Sequence, residues 1–171
     1  MEDLYHQHLP AGTAVDHFEI RELLGVGGFG VTYKAWDTRL HRQVALKEFL
    51  PAELAVRDGS TQTIRARSDR VEDYRFALDK FLEEARTLAR FDHPNIVRVT
   101  AFVEANGTAY LVMDYVRGQS LSEYLKKHPG PVPEEQLRAW FVPLLQGLEQ
   151  VHDARFLHRD IKPGNIYLRD S

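Results

Sequence analysis

Three side chains that could take part in phosphoryl transfer lie within eight residues of one another. Residues 158–165 read His-Arg-Asp-Ile-Lys-Pro-Gly-Asn and supply a carboxylate at Asp160, an ammonium group at Lys162 and an amide oxygen at Asn165. A Pro-Gly pair interrupts regular secondary structure there, so these groups are expected on a loop. In phosphoryl transfer the protein mainly positions groups and stabilises charge, and this combination suits that task.

Composition limits the classes of protein to consider. The chain has 171 residues, enough for one domain or two small lobes, and its 43% hydrophobic and 27% charged residues are typical of a globular protein. A net charge of −3 argues against a dedicated nucleic-acid binder, and the absence of cysteine excludes disulfides and thiolate metal sites. No apolar run approaches the roughly 20 residues of a membrane helix. We therefore expect a soluble, cytoplasmic protein that binds no nucleic acid and has no membrane segment.

A glycine-rich segment precedes a strand instead of a helix. Residues 25–30 read Gly-Val-Gly-Gly-Phe-Gly, and residues 31–36 (Val-Thr-Tyr-Lys-Ala-Trp) are rich in β-branched and aromatic side chains. A dinucleotide-binding fold requires a helix directly after its glycines. The pattern instead predicts a hairpin whose backbone N–H groups can approach phosphates, because glycine carries no Cβ. Taken by itself, a glycine-rich turn without a ligand is the alternative.

Lys47 and Glu84 are predicted to form an ion pair. Residues 43–49 alternate as a strand, which places Lys47 on the side of apolar neighbours. A helix is expected over about 73–91, and Glu84 falls inside its apolar stripe. The stripe consists of Ala77, Phe81, Leu88 and Phe91. A carboxylate on a buried face is costly unless it is paired, and Lys47 is the natural partner. The alternative is a boundary glutamate that points to water.

Four sequence blocks, in this order, resemble the protein kinases. Residues 25–30 are similar to their phosphate-covering glycine loop, and residues 44–47 (Val-Ala-Leu-Lys) to the strand with their phosphate-binding lysine. Residues 113–118 (Met-Asp-Tyr-Val-Arg-Gly) resemble the linker that contacts adenine. Residues 158–165 resemble the catalytic loop. The glycine loop and the Asp-Ile-Lys-Pro-Gly-Asn run look similar to bacterial members of the serine/threonine family.

The resemblance implies ATP and Mg²⁺ as cofactors and a role for each polar side chain. Asp160 would accept or orient the proton of the attacking hydroxyl group. Lys162 would stabilise charge on the transferred phosphoryl group, and Asn165 would be a Mg²⁺ ligand. Lys47, oriented by Glu84, would hold the phosphates. His158 is expected to be a strut in the core.

The resemblance also implies the contacts of the nucleotide. Met113 would border the back of the pocket, and the backbone groups of Asp114 and Val116 would bind the adenine edge. The residues that would cover the phosphates are Gly25, Gly27, Gly28, Phe29 and Gly30. The residues that would contact the faces of adenine are Leu24, Thr32, Ala45 and Tyr167.

The expected fold is α+β and protein-kinase-like. Residues 1–15 are expected to form a tail that contacts the main body only in part. Residues 16–116 would form a small lobe with a five-stranded antiparallel sheet, one long helix and a mostly exposed insertion at about 50–72. Residues 117–171 would form a truncated, mainly helical large lobe that includes the catalytic loop.

Two classes of function stay open. In the first, the chain is the N-terminal piece of a serine/threonine protein kinase with an unknown protein substrate. This piece would be inactive by itself, because the 171 residues contain no Asp-Phe-Gly motif with its second metal ligand. In the second, the chain is a nucleotide-binding regulatory pseudokinase module. A small-molecule phosphotransferase is disfavoured by Lys162. The apolar stripe over 137–151 is predicted to stay exposed and to cause self-association.

Overall fold

The computed structural model describes residues 7–170, so the first six residues of the predicted tail and Ser171 lie outside the described part. The chain divides into two compact units. The first comprises Met1–Arg90 and Arg98–Tyr115, and the second comprises Phe91–Val97 and Val116–Ser171. Within residues 7–170, none of the helices combines the length and the apolar character needed to cross a bilayer.

The first unit is built on an antiparallel sheet. Its strands in chain order are β1 (Ala14–Val15), β2 (Phe18–Gly27), β3 (Gly30–Asp37), β4 (Arg42–Phe49), β5 (Ala55–Arg57), β6 (Ile64–Ala66), β7 (Val99–Ala105) and β8 (Thr108–Asp114). The main sheet has the order β1-β2-β3-β4-β8-β7, and β5 and β6 form a separate hairpin. The five predicted strands are β2, β3, β4, β7 and β8, to which the structure adds the two-residue β1.

Helix α1 (Val71–Leu88) packs on this sheet through a face that includes Tyr74, Phe81 and Ala85. The Phe49 ring at the end of β4 lies 5.0 Å from the Phe81 ring, measured between centroids. The helix begins and ends two to three residues before its predicted bounds, which is the usual uncertainty of helix ends read from a sequence.

Residues 7–15 are attached to the sheet through Leu9 and Val15. Leu9 and Val15 are each 1% exposed and belong to the hydrophobic core. The backbone N–H of Leu9 also donates a hydrogen bond of 2.9 Å to the Tyr33 hydroxyl. Two apolar side chains and a buried hydrogen bond therefore hold residues 7–15, while Pro10, Ala11, Gly12 and Ala14 are exposed, so the segment contacts the sheet at a few points only.

The insertion contains the β5–β6 hairpin, and its inner side is buried. Ala55 and Ile64 are 0% and 3% exposed. The Ile64 N–H donates 2.7 Å to the carbonyl of Asn106 in the β7–β8 turn. A Cβ on Gly107 would lie 2.3 Å from the Ile64 carbonyl oxygen, so the β7–β8 turn and the start of β6 pack backbone to backbone. The prediction of a mostly exposed insertion is therefore corrected.

The second unit holds two helices and one short strand pair. Its elements in chain order are β9 (Gly118–Ser120), α2 (Leu121–Lys127), α3 (Glu134–Asp153), a 3₁₀ turn (Pro163–Asn165) and β10 (Tyr167–Arg169). β9 pairs antiparallel with β10. Ser120 caps α2 in a capping box with Glu123. This arrangement places residues 158–165 between α3 and β10.

Candidate functional site

The glycine-rich segment forms the hairpin predicted from the sequence. β2 and β3 pair up to Gly27 and Gly30, which leaves Gly28 and Phe29 as the two-residue turn. The Phe29 side chain is 78% exposed. No helix follows the glycines, so the strand–loop–strand arrangement of a phosphate lid is present, and that of a dinucleotide-binding fold is not.

Only one end of this hairpin is tightly packed. A Cβ on Gly30 would lie 1.9 Å from the carbonyl oxygen of Glu48, whereas a Cβ on Gly25 or Gly28 would meet no atom within 4 Å. Gly30 therefore allows β3 to pack closely on β4. The open space beside Gly25, Gly27 and Gly28 leaves their backbone accessible to a ligand.

Four of the predicted nucleotide contacts share one face of the sheet. Thr32 is paired with Lys47, and Ala45 is paired with Met113. Paired residues in an antiparallel sheet lie on the same side, and so do residues two apart in one strand. Thr32, Ala45, Lys47 and Met113 consequently point in one direction. Leu24 is the unpaired residue at an irregularity in the β2–β3 pairing, between Leu23 and Gly25, and it is 41% exposed.

The predicted ion pair between Lys47 and Glu84 is not formed. Both side chains are exposed, and the ion pairs among residues 7–170 do not include this one. The reason is the rotation of α1 about its axis. The buried face is centred on Tyr74, Phe81 and Ala85, which leaves Glu84 at its edge, facing solvent.

The catalytic-loop residues Asp160, Lys162 and Asn165 are brought together as predicted. The side-chain N–H of Asn165 donates 2.8 Å to Asp160 Oδ2 and 2.9 Å to the Asp160 carbonyl. Lys162 Nζ lies 3.2 Å from Asp160 Oδ1. Hydrogen bonds from Lys162 and Asn165, together with the Lys162 charge, lower the pKa of Asp160 below its ordinary value. The Asp160 side chain is 60% exposed, so its carboxylate is accessible from solvent.

His158 differs from the expectation of a core strut. Its side chain is exposed, and its Nδ1 accepts a hydrogen bond of 3.3 Å from the Asp160 N–H. The intervening Arg159 has a positive φ of 63°, so the chain turns sharply at this point. His158 therefore contributes to the loop conformation by its hydrogen bond with the Asp160 backbone, and its side chain is not part of the core.

Some backbone groups of the linker, residues 113–118, form hydrogen bonds within the protein. The N–H of Asp114 donates 3.0 Å to the carbonyl of Arg98, so an adenine contact by Asp114 would have to use its carbonyl oxygen. Val116 belongs to the second unit and is half-buried. Tyr167 lies on β10 of that unit and donates 3.0 Å to the carbonyl of Gly118.

The loop supplies part of the ligand set that a hard cation requires. Among the described residues, none of the hydrogen bonds uses Asn165 Oδ1, because the interactions of this amide with Asp160 go through its nitrogen. An amide oxygen is a ligand that Mg²⁺ accepts. No group of three acidic or histidine side chains in residues 7–170 could hold a metal ion by itself.

A buried polar cluster was not recognised as a functional feature from the sequence. Glu48, next to Lys47, is 0% exposed and accepts hydrogen bonds from Tyr33 and Tyr110 and from the guanidinium of Arg57. The alternation of β4 could have indicated it, because Glu48 shares the side of Val44 and Leu46. The partner Arg57 comes from the insertion and has no local signal.

Comparison with known proteins places the chain in one protein family. The family model "Protein kinase domain" matches residues 18–171. The chain is 33% identical to serine/threonine-protein kinase pkn2 of Myxococcus xanthus, over 90% of this chain and 16% of that protein. It is 34% identical to serine/threonine-protein kinase PknB of Mycobacterium leprae, over 90% of this chain and 22% of that protein. The chain therefore spans less than a quarter of the length of these two relatives.

The solved structures agree with these relatives. The apo form of PpkA-294 superimposes with a TM-score of 0.89 at 37% sequence identity, over 96% of this chain and 58% of that one. The kinase domain of PknI from Mycobacterium tuberculosis superimposes with a TM-score of 0.73 at 24% identity, and this second likeness shows the fold alone.

Proposed function

This chain belongs to the protein kinase domain family, and we propose that it carries the nucleotide-binding residues and the catalytic loop of an ATP-dependent serine/threonine protein kinase. The observation that carries the proposal is the Asp160 carboxylate, which Asn165 and Lys162 hold in an exposed, ionised state. Lysine two residues after the aspartate resembles the serine/threonine kinases. The protein substrate is unknown.

Asp160 suits the orientation of a hydroxyl group better than the removal of its proton. A general base is most effective when its pKa lies near the working pH, and the pKa of Asp160 is shifted downward, away from neutral pH. An ionised carboxylate still accepts a hydrogen bond from a serine or threonine hydroxyl and can direct the oxygen at the phosphorus atom. Lys162 then offers a positive charge beside the phosphoryl group, where negative charge accumulates during transfer.

The first unit would bind the nucleotide through its sheet face and its glycine hairpin. Lys47 presents its ammonium group on the face that carries Thr32, Ala45 and Met113, and the glycine backbone is open to phosphate oxygens. When bound, Mg²⁺ would neutralise charge on the phosphates, and Asn165 Oδ1 would be one of its ligands. We also propose that the protein is located in the cytoplasm, as predicted from the sequence.

We propose that the 171 residues by themselves bind MgATP but transfer phosphate inefficiently. Protein kinases hold their metal ions with the aspartate of an Asp-Phe-Gly motif as well as with the catalytic-loop asparagine, and this motif does not occur in the 171 residues. The second candidate, a regulatory pseudokinase module, shares the nucleotide site. An autophosphorylation assay with radiolabelled ATP and Mg²⁺ separates efficient transfer from binding alone, and robust turnover would contradict the proposed inefficiency.

We also propose that the outer face of α3 binds a second copy of the chain. Phe141, Val142 and Leu145 are 37%, 50% and 59% exposed on one helix. Val142, Leu145 and Leu148 line an open groove of about 520 Å³ there. Burial of such side chains contributes about 25 cal/mol per Å² of apolar surface, and this contribution would favour pairing of two copies through this face.

The binding proposal is tested by titration of the chain with a fluorescent ATP analogue and Mg²⁺. We expect saturable binding, and we expect the substitution Lys47→Ala to raise Kd at least about tenfold, which corresponds to about 1.4 kcal/mol of lost phosphate interaction. Lys80→Ala is the matched control, because Lys80 is an exposed lysine on α1 whose partner is Glu83. Equal affinity of all three proteins, or no binding by the unmodified chain, would refute the proposed site.

A further inference from the structure

Glu48 is a buried carboxylate with hydrogen bonds from two strands. It is 0% exposed. Tyr33 of β3 donates 2.8 Å to Glu48 Oε2, and Tyr110 of β8 donates 2.6 Å to Oε1. Burial, followed by the adjacent Glu48 charge, raises the pKa of both tyrosines, which therefore stay protonated donors. Glu48 thus joins the two strands that flank β4.

The charge of Glu48 is compensated by an arginine from the insertion. Arg57 Nη2 lies 2.5 Å from Glu48 Oε2, and the Arg57 side chain is 2% exposed. Burial alone would lower the pKa of Arg57, but the Glu48 carboxylate outweighs it, and the net shift is upward. Arg57 is therefore the charged partner that compensates the Glu48 carboxylate in this buried ion pair. Loss of one partner would leave the other as an uncompensated buried charge.

Arg57 also binds two other segments of the first unit. Its Nε donates 2.7 Å to the carbonyl of Gln7, and its Nη1 donates 2.7 Å to the carbonyl of Gln62. The Tyr33 hydroxyl, which donates to Glu48, accepts the N–H of Leu9. Residues 7–9 and the β5–β6 hairpin are therefore attached to the sheet through one guanidinium and one carboxylate.

We propose that Arg57 is a positioning residue for Lys47 and that it acts through Glu48. Successive residues of a strand point to opposite faces, so Glu48 fixes the backbone of β4 from one side while Lys47 extends from the other. The hydrogen bonds of Glu48 thereby fix the position of the end of β4 relative to its neighbouring strands, and with it the position of the Lys47 backbone. This inference rests on the proposed function, in which Lys47 contacts the phosphates of ATP.

The test compares Arg57→Gln with Arg65→Gln. Arg65 is the matched control, because it lies on the same hairpin but its side chain is 68% exposed and forms an ion pair of 3.6 Å with Asp58. Two quantities are measured well below the melting temperature: amide hydrogen exchange of residues 43–49 and the Kd of a fluorescent ATP analogue with Mg²⁺. For Arg57→Gln we expect exchange and Kd each to rise at least about tenfold, as for the loss of one buried charge interaction. Arg65→Gln should match the unmodified chain in both.

A merely structural role would give a different result. If folded Arg57→Gln melts earlier but retains the nucleotide affinity of the unmodified chain, the positioning role is overturned. Arg57→Lys retains the positive charge but lacks the planar guanidinium group. It should recover part of the nucleotide affinity that Arg57→Gln loses.

Two further outcomes are also decisive. If Arg57→Gln does not fold, Tyr33→Phe replaces it; this variant removes only the hydroxyl between Leu9 and Glu48 and should raise exchange at 43–49 and Kd by a smaller factor. Unchanged exchange and affinity in Tyr33→Phe would overturn the inference. If the unmodified chain binds no nucleotide, the proposed function fails, and exchange at 43–49 alone then decides whether Arg57 holds β4.

Discussion

Asn165 holds both the backbone and the side chain of Asp160 through one amide nitrogen, which donates 2.9 Å to the carbonyl and 2.8 Å to Oδ2. Asn165 is the last residue of a 3₁₀ turn, Pro163–Asn165, in which proline restricts the backbone. The carboxylate of an exposed loop thus has a fixed orientation, which a hydrogen-bond acceptor for a substrate hydroxyl requires.

Lys162→Ala is expected to raise the pKa of Asp160 toward its ordinary value, because the hydrogen bond from Lys162 is the largest cause of the downward shift. A carboxyl group with a lowered pKa in the folded state stabilises the fold above its unfolded pKa, and this contribution is lost as the pH falls through the folded pKa. The measurement is an NMR titration of the Asp160 carboxyl carbon in the acid range. Lys126→Ala, on the exposed side of α2, should leave the titration unchanged; an equal midpoint in all three proteins would contradict the prediction.

Gly30→Ala is expected to destabilise the first unit by about 1–3 kcal/mol, the usual cost of overpacking. The added Cβ would lie 1.9 Å from the Glu48 carbonyl oxygen, so β3 and β4 would have to separate. Gly28→Ala is the control within the same loop, because a Cβ there meets no atom within 4 Å. Urea unfolding of the three proteins measures the difference, and equal midpoints for the two variants would rule out the close packing at Gly30.

Ser120→Ala is expected to cost about 1 kcal/mol, the typical value of a lost helix N-cap. The Ser120 hydroxyl accepts the N–H of Glu123 at 3.1 Å, and the Glu123 carboxylate accepts the N–H of Ser120 at 2.8 Å. Ser122→Ala, inside α2, removes a hydroxyl without a capping role and should be neutral or slightly stabilising. Chemical denaturation followed by circular dichroism compares them, and an equal effect of the two substitutions would exclude the cap as the cause.

Leu145→Glu is expected to convert a self-associating chain into a monomer, because it places a charge on the exposed apolar face of α3. Ala139→Glu adds the same charge at an exposed position of α3 that does not line the groove, and it should retain association. Light scattering coupled to gel filtration gives the mass of each species at several protein concentrations. A monomeric unmodified chain would count against the proposed pairing through α3.

The α+β, protein-kinase-like fold predicted from the sequence is confirmed, because it depends on local signals and on the order of motifs. Glycine followed by β-branched residues identified the β2–β3 hairpin. Asn106 and Gly107 identified the β7–β8 turn, where both have positive φ. The spacing of Asp160, Lys162 and Asn165 was sufficient to predict one loop, since their contacts are made within five residues of sequence.

The errors concern contacts between distant segments. Whether Glu84 meets Lys47 depends on the rotation of α1, which the packing of Tyr74 and Ala85 determines. The Arg57–Glu48 pair required knowledge that the insertion folds back on the sheet. His158 was placed in the core on a resemblance alone, and nothing in its own sequence neighbourhood indicated that it is exposed.

The backbone packing between Gly107 and Ile64 has a consequence for protein engineering. Together with Arg57, it anchors the β5–β6 hairpin at two separate points of the first unit. A shortened version that deletes residues 55–66 would remove the only cation beside Glu48 among the described ion pairs. Minimal scaffolds of this unit should therefore retain the hairpin or replace Glu48 at the same time.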